Sequence, residues 1–239
     1  MKVLHLTNHF WPSTGGIEKF TLDLCRESIK MGIESEVLCL NKANHSSNAM
    51  PSNDEIDGIR ITRVPFLDLK YYKPAFLPLK MLSEADVLHV HGVSALLDFA
   101  VLTKPLHGTP IVVSSHGGLF HTKNMMFLKK AYFFGFERLM LHGVDQMVSD
   151  SKNDFELFRS IAPKQVLIVN GVDLDRFQKC AQIPKRNRTF LFVGRLSQNK
   201  RIENLLAAFE AVHQAGIDFE LRIVGEDWEG ILPLLSEKA

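Results

Sequence analysis

The first 170 positions of this chain are punctuated by short runs that are apolar at almost every residue, at 3–7, 36–40, 59–64, 87–91, 111–115, 146–149 and 166–169. Between several of them lie helix-length amphipathic patterns, at 18–30, 95–102, 128–141 and 152–158. A strand that is apolar throughout must be covered on both faces, and intervening helices supply both covers. The pattern therefore predicts an α/β chain built on a parallel sheet. Such sheets bind ligands at the carboxyl ends of their strands. That rule places residues 8–16, His91-Gly92 and His116-Gly117-Gly118 along one edge.

The exit from the first strand is unusual. In "NHFWPSTGGIEKF" the chain passes a Pro, a Ser-Thr pair and two adjacent glycines before a helical pattern starts at Ile17. Paired glycines suit a backbone that needs positive φ or that something must approach closely. A helix start behind a glycine turn is an anion site, so Gly15 and Gly16 are candidates to meet a phosphate-bearing ligand. An ordinary strand-to-helix turn explains the same residues.

After Asn170-Gly171-Val172-Asp173 the pattern changes. Residues 174–188 lose apolar periodicity and end in the basic "PKRNR", which reads as a connector. A strand at 189–193, a helix at 202–214, a strand at 220–224 and a helical pattern at 228–237 then repeat the plan of the N-terminus. The boundaries expected are a first domain over 1–173, a linker over 174–188 and a second, incomplete domain over 189–239. Two strands and one or two helices cannot cover both faces of a sheet. Leu191, Val193, Leu221, Ile223, Leu234 and Leu235 are expected to lack part of their cover.

Composition excludes several classes of function. Formal net charge is +1, so no global field recruits nucleic acid. Cys25, Cys39 and Cys180 are odd in number and lack metal or redox spacing, as in a reducing cytoplasm. No stretch of 18 or more apolar residues appears, and strand-like sequence begins at Val3, so neither a membrane span nor a signal peptide is expected.

The ordered segments "TGGIEK", "ADVLHVHG", "PIVVSSHG", "DQMVSDS", "LIVNGVDLDRF", "FLFVGRLSQNKRIENLLAAF" and "LRIVGE" resemble the retaining glycosyltransferases of family 4, which have the GT-B fold. The resemblance implies two Rossmann-like domains, an acceptor-side one and the beginning of one that binds a UDP-sugar or GDP-sugar. It implies transfer of a hexose with retention to a glycan or lipid-linked acceptor, in surface polysaccharide synthesis, without a metal cofactor. A non-catalytic fragment that binds acceptor or partner, and a nucleotide-sugar epimerase on the same fold, remain alternatives. Arg195 and Lys200 would hold the donor diphosphate together with the amides of Gly15 and Gly16. His116 would contact the sugar or the acceptor, unless it only satisfies buried backbone groups. Asn170, Gly171 and Asp173 would form a hinge.

Three departures from the family pattern stand out. Arg201 takes the place of a glycine after Lys200, and Asp227 replaces a glycine in "VGED", which puts contact with the nucleotide base in question. The family's two donor-side glutamates have no counterpart within the 239 residues, so the chain alone is expected to be inactive. His89 and His91 share a strand face, but no third ligand stands at helpful spacing, and Asp173-Leu174-Asp175 lies in a turn; no metal is assigned. The basic and aromatic stretch at 121–142, with Lys123, Lys129, Lys130 and Arg138, suits contact with an anionic membrane surface or, equally, a core-packed helix.

Overall fold

The computed structural model describes residues 1–43, 48–69, 72–117, 132–174, 187–227 and 229–236. Gly118, residues 121–131 of the basic stretch and most of the expected linker lie outside the described residues. The chain packs as two compact units, Met1–Gly171 and Val172–Ala239.

The first unit is built on one eight-stranded sheet. Its strands are β1 (Lys2–Thr7), β2 (Glu34–Leu40), β3 (Asn53–Ile56), β4 (Ile59–Val64), β5 (Val87–His91), β6 (Ile111–Ser114), β7 (Gln146–Ser149) and β8 (Gln165–Leu167). Their order is β3-β4-β2-β1-β5-β6-β7-β8, and only β3 runs antiparallel to its neighbour. The chain builds outward from β1 through β2 and β4, then returns to the other side of β1 and proceeds from β5 to β8. The direction of winding therefore reverses between β1 and β5, which opens a crevice at their carboxyl ends.

The antiparallel edge was not anticipated. β3 is polar in sequence, but it ends in Asp57-Gly58, whose φ angles of 52° and 78° give the left-handed two-residue turn that joins it to β4.

The two faces of the sheet differ in chemistry. One is aliphatic: Leu4, Leu6, Leu38, Leu40, Leu88, Val90, Ile111 and Val113 join Phe133, Leu141 and Phe158 in the main core. On the other, Val37, Cys39, Ile59 and Ile61 form a smaller cluster with Phe10 and with Cys25 of helix α1 (Gly16–Lys30). Burial pushes both thiols up to about 12, so they are apolar packing groups here. Beside that cluster the face carries His89 and His91, the pair expected on one face of β5, together with His5 of β1.

In the second unit β9 (Thr189–Val193) and β10 (Glu220–Val224) form a parallel pair. Phe192, Ile223 and Leu206 pack on Leu196, Ile202, Ile231 and Leu235, which come from the helix at Ile202–Gln214, the short helix at Leu232–Ser236 and their approaches. Leu235 is thus covered, contrary to expectation, whereas Ile223 is covered only in part and Leu234 stays 62% exposed. Leu191 and Val193, on the other face, remain 64% and 71% exposed.

Candidate active site

The loops leaving β1, β5 and β6 meet at the reversal point. Residues 7–9, 91–94 and 115–117, with Ile17 and Glu18 from the first turn of α1, line a pocket of about 260 Å³. The edge inferred from the sequence is thus assembled within one unit, and His116 lies in its wall.

His116 has φ of 47°, a left-handed conformation uncommon for a residue with a side chain. The loop is held there from the strand-to-helix segment after β7. Asp154, whose own amide caps onto Ser151 Oγ, accepts hydrogen bonds from Ser115 Oγ at 2.9 Å and from the Gly117 amide at 3.2 Å. Asp150 Oδ2 lies 2.5 Å from His116 Nδ1, with both side chains at least nine-tenths buried. His116 Nε2 is 3.1 Å from His91 Nδ1, and His91 Nε2 is 3.0 Å from His5 Nδ1. Asp150 and three imidazoles therefore form one continuous line from the pocket wall into the sheet. Desolvation lowers His5 to about 3 and His89 to about 4, and it holds His91 well below the usual histidine range. These three rings are neutral at physiological pH. The Phe20 ring of α1 stands edge-on to His91 and His116, at 5.9 and 5.0 Å between centroids.

Gly15 and Gly16 do begin α1, but neither adopts positive φ; Gly15 is extended, with φ of −179°. Gly16 stands open instead: nothing lies within 4 Å of a Cβ built on it. The Glu18 carboxylate folds back over Gly15. An anion arriving at these amides must displace that side chain.

Arg195 and Lys200 are exposed residues of the second unit. Arg195 follows β9 through Gly194, and Lys200 closes the 3-10 turn Gln198–Lys200. The next residue, Arg201, has φ of 52° and ψ of 44°, and its carbonyl starts the helix by accepting from the Asn204 and Leu205 amides at 2.9 and 3.3 Å. The left-handed conformation explains why a glycine suits this position. Asp227 turns its carboxylate onto its own backbone, accepting from the Ile231 and Leu232 amides at 2.9 and 3.0 Å, which lower its pKa. Of the expected hinge, Asn170 Nδ2 reaches Asp150 Oδ2 at 3.5 Å, Gly171 ends the first unit, and Asp173 is exposed just beyond. In the described part of the basic stretch, Phe134, Phe136 and Leu139 are 52%, 38% and 66% exposed beside an exposed Arg138.

Residues 14–176 match the profile of Glycosyltransferase Family 4, and residues 174–238 match Glycosyl transferases group 1. The chain belongs to glycosyltransferase family 4. Among its relatives is a GDP-mannose:cellobiosyl-diphosphopolyprenol alpha-mannosyltransferase of Xanthomonas oryzae pv. oryzae, 33% identical over 96% of this chain and 61% of the relative. A protein of the same name from Komagataeibacter xylinus is 31% identical over 95% of the chain and 58% of the relative. The chain thus spans about three-fifths of the length of these family 4 relatives. The fold is of the GT-B type. It matches an alpha-glucosyltransferase solved with UDP and DNA, with a TM-score of 0.61 at 17% identity over 100% of this chain and 60% of that one. It also matches a structure described as trehalose-6-phosphate from E. coli bound with UDP-2-fluoro glucose, with a TM-score of 0.66 at 13% identity over 100% and 69%.

Sequence reasoning placed His116 on the pocket edge but missed the groups that hold it. Asp150 and Asp154 stood in plain view in "SDSKND" directly after a strand. His5 became a neighbour of His91 only through the pairing of β1 with β5.

Proposed function

We propose that this chain carries the acceptor-side domain and the beginning of the donor-side domain of a retaining hexosyltransferase that serves surface polysaccharide synthesis. Its donor is a nucleotide-diphosphate sugar, GDP-mannose in preference to a UDP-sugar, and its acceptor a diphosphopolyprenol-linked glycan. The names of the mannosyltransferase relatives support both choices. The observation that carries the reading is the pocket at the winding reversal, with His116 braced in its wall by Asp150. A braced imidazole there suits hydrogen bonding to a sugar hydroxyl.

Breaking the sugar–phosphate bond leaves charge on the departing diphosphate, which preorganised cations stabilise. Arg195 supplies a planar fork for that charge and Lys200 a point charge, so the transfer step assigns no work to a metal ion. With the Glu18 side chain displaced, the Gly15 and Gly16 amides at the start of α1 would meet a phosphate oxygen. No helix among the described residues is long and apolar enough to cross a membrane. The exposed Phe134, Phe136 and Leu139 beside Arg138 suit a peripheral seat on the inner face of the cell membrane, where a lipid-linked acceptor resides.

The test uses the protein extended to the length of its relatives, supplied with GDP-mannose and a diphosphopolyprenol-linked disaccharide. Mannose should pass to the acceptor with its anomeric configuration kept, and added Mg²⁺ should not change turnover. Arg195→Ala or Lys200→Ala should each lower turnover by about two to three powers of ten. Isomerised nucleotide sugar without transfer would make it an epimerase. The 239-residue chain alone should transfer negligibly, because the family's donor-side glutamates have no counterpart in it.

A further inference from the structure

The pairing of β1 with β5 sets His5 beside His89, and the two-residue period of a strand brings His91 onto the same face. The three rings form a compact triangle, with centroids 5.4 Å apart for His5 and His89, 5.3 Å for His5 and His91, and 4.3 Å for His89 and His91. One ring nitrogen from each lies within 4.8 Å of those from the other two. His5 is the third ligand that linear spacing could not supply. We propose that His5, His89 and His91 bind a single transition-metal dication of the imidazole-preferring class, Zn²⁺ foremost, between β1 and β5.

Three further features fit a metal rather than a mere stack of histidines. Ligating imidazoles are normally oriented by a second group on their other nitrogen. Here Ser114 Oγ holds His89 Nε2 at 2.9 Å, and His116 Nε2 holds His91 Nδ1 at 3.1 Å. His5, 1% exposed, keeps Nε2 without a hydrogen-bond partner among the described residues, an arrangement that is costly unless another ligand satisfies the cluster. Asp150, joined to His91 through His116, brings a carboxylate to offset the ion's charge. Three neutral nitrogens and no carboxylate in the inner set favour Zn²⁺, Co²⁺ or Ni²⁺ over Mg²⁺ or Ca²⁺. The ion would tie the strands on either side of the winding reversal and steady His91 in the pocket wall. This role is independent of the diphosphate chemistry.

The experiment titrates Zn²⁺, and Co²⁺ as a visible probe, into the metal-stripped 239-residue chain. One equivalent should bind, Co²⁺ should give the intense visible bands of a four-coordinate nitrogen site, and Zn²⁺ should raise the melting temperature. His5→Gln and His89→Gln should lose this equivalent, Ser114→Ala should weaken it about tenfold, and His142→Ala, at an exposed histidine, should leave it intact. No binding by the parent chain, or binding that survives both glutamine substitutions, overturns the proposal. If the glutamine variants do not fold, X-ray absorption of the Zn²⁺-loaded parent decides: three nitrogens at about 2.0 Å support the site, and a mostly oxygen shell refutes it.

Discussion

Gly194 and Gly225 meet backbone to backbone where β9 and β10 end. A Cβ built on Gly225 would lie 1.7 Å from the Gly194 carbonyl oxygen and 2.7 Å from its carbonyl carbon. No rotamer change relieves a collision with main chain. Gly225→Ala should therefore separate the strand ends and the Leu196–Asp227 bridge that follows them, at a cost of several kcal/mol, on the order of the largest single-site effects. Limited proteolysis should show the second unit cut rapidly while the first persists. Gly16→Ala, with open space around it, serves as the contrast and should leave melting unchanged or slightly raised. Equal protease resistance of Gly225→Ala and the parent would refute the packing argument.

The bond between His116 and Asp150 supports a second expectation. Asp150→Ala removes a charged acceptor from a buried imidazole and also the reach of Asn170. Losing one such charge-assisted bond costs about 1.5–3 kcal/mol, to be read from urea unfolding of the first unit. A loss below about 0.5 kcal/mol would show that the pair does not brace the loop.

Legibility followed how local the determining physics is. The strands at 59–64, 87–91, 146–149, 189–193 and 220–224 and the helices at 95–102, 152–158 and 202–214 were readable to the residue, because burial pattern and period are properties of neighbouring positions. β3 was missed because Asn53–Ile56 has no apolar signal, although Asp57-Gly58 announces a hairpin turn. His89 and His91 were readable as a pair on one face. Their neighbour His5 was not, since the two nitrogens that meet belong to residues 86 positions apart and are joined only by strand order. The paired glycines suggested positive φ or close approach; neither has positive φ, and the space beside Gly16 is open.

Arg201 offers a stabilising substitution. Its left-handed backbone, at φ of 52° and ψ of 44°, crowds a Cβ against the carbonyl that opens the following helix. Arg201→Gly removes that strain at the cost of greater chain entropy. The net gain should be about 1 kcal/mol, seen as a higher melting temperature for the second unit. Its nearest ion-pair partner, Glu203, is 4.0 Å away and exposed, so little is lost with the side chain. A lower melting temperature would show that the arginine holds the turn through contacts worth more than the backbone strain.

Glu137 makes stability fall as pH rises. It is fully buried at the end of the π-helical turn Phe133–Glu137, and burial, followed by the nearby Asp98 charge, raises it to about 8. Asp98, which accepts from Tyr72 Oη at 2.8 Å, is raised to about 6, chiefly by burial. Well below pH 4, by about pH 3, both carboxyls are largely protonated in the folded and the unfolded chain. As pH rises from there to about 8, the unfolded chain ionises first while folded Glu137 keeps its proton. This group's contribution to stability therefore falls, by up to about 1.4 kcal/mol for each pH unit, and levels off once the folded form ionises too. Glu137→Gln replaces the carboxyl with a neutral amide of the same shape and removes the decline. The variant should match the parent near pH 3 and exceed its stability at pH 8, in paired urea titrations. A difference between variant and parent that is the same at both pH values would mean that Glu137 titrates alike in the folded and unfolded chain.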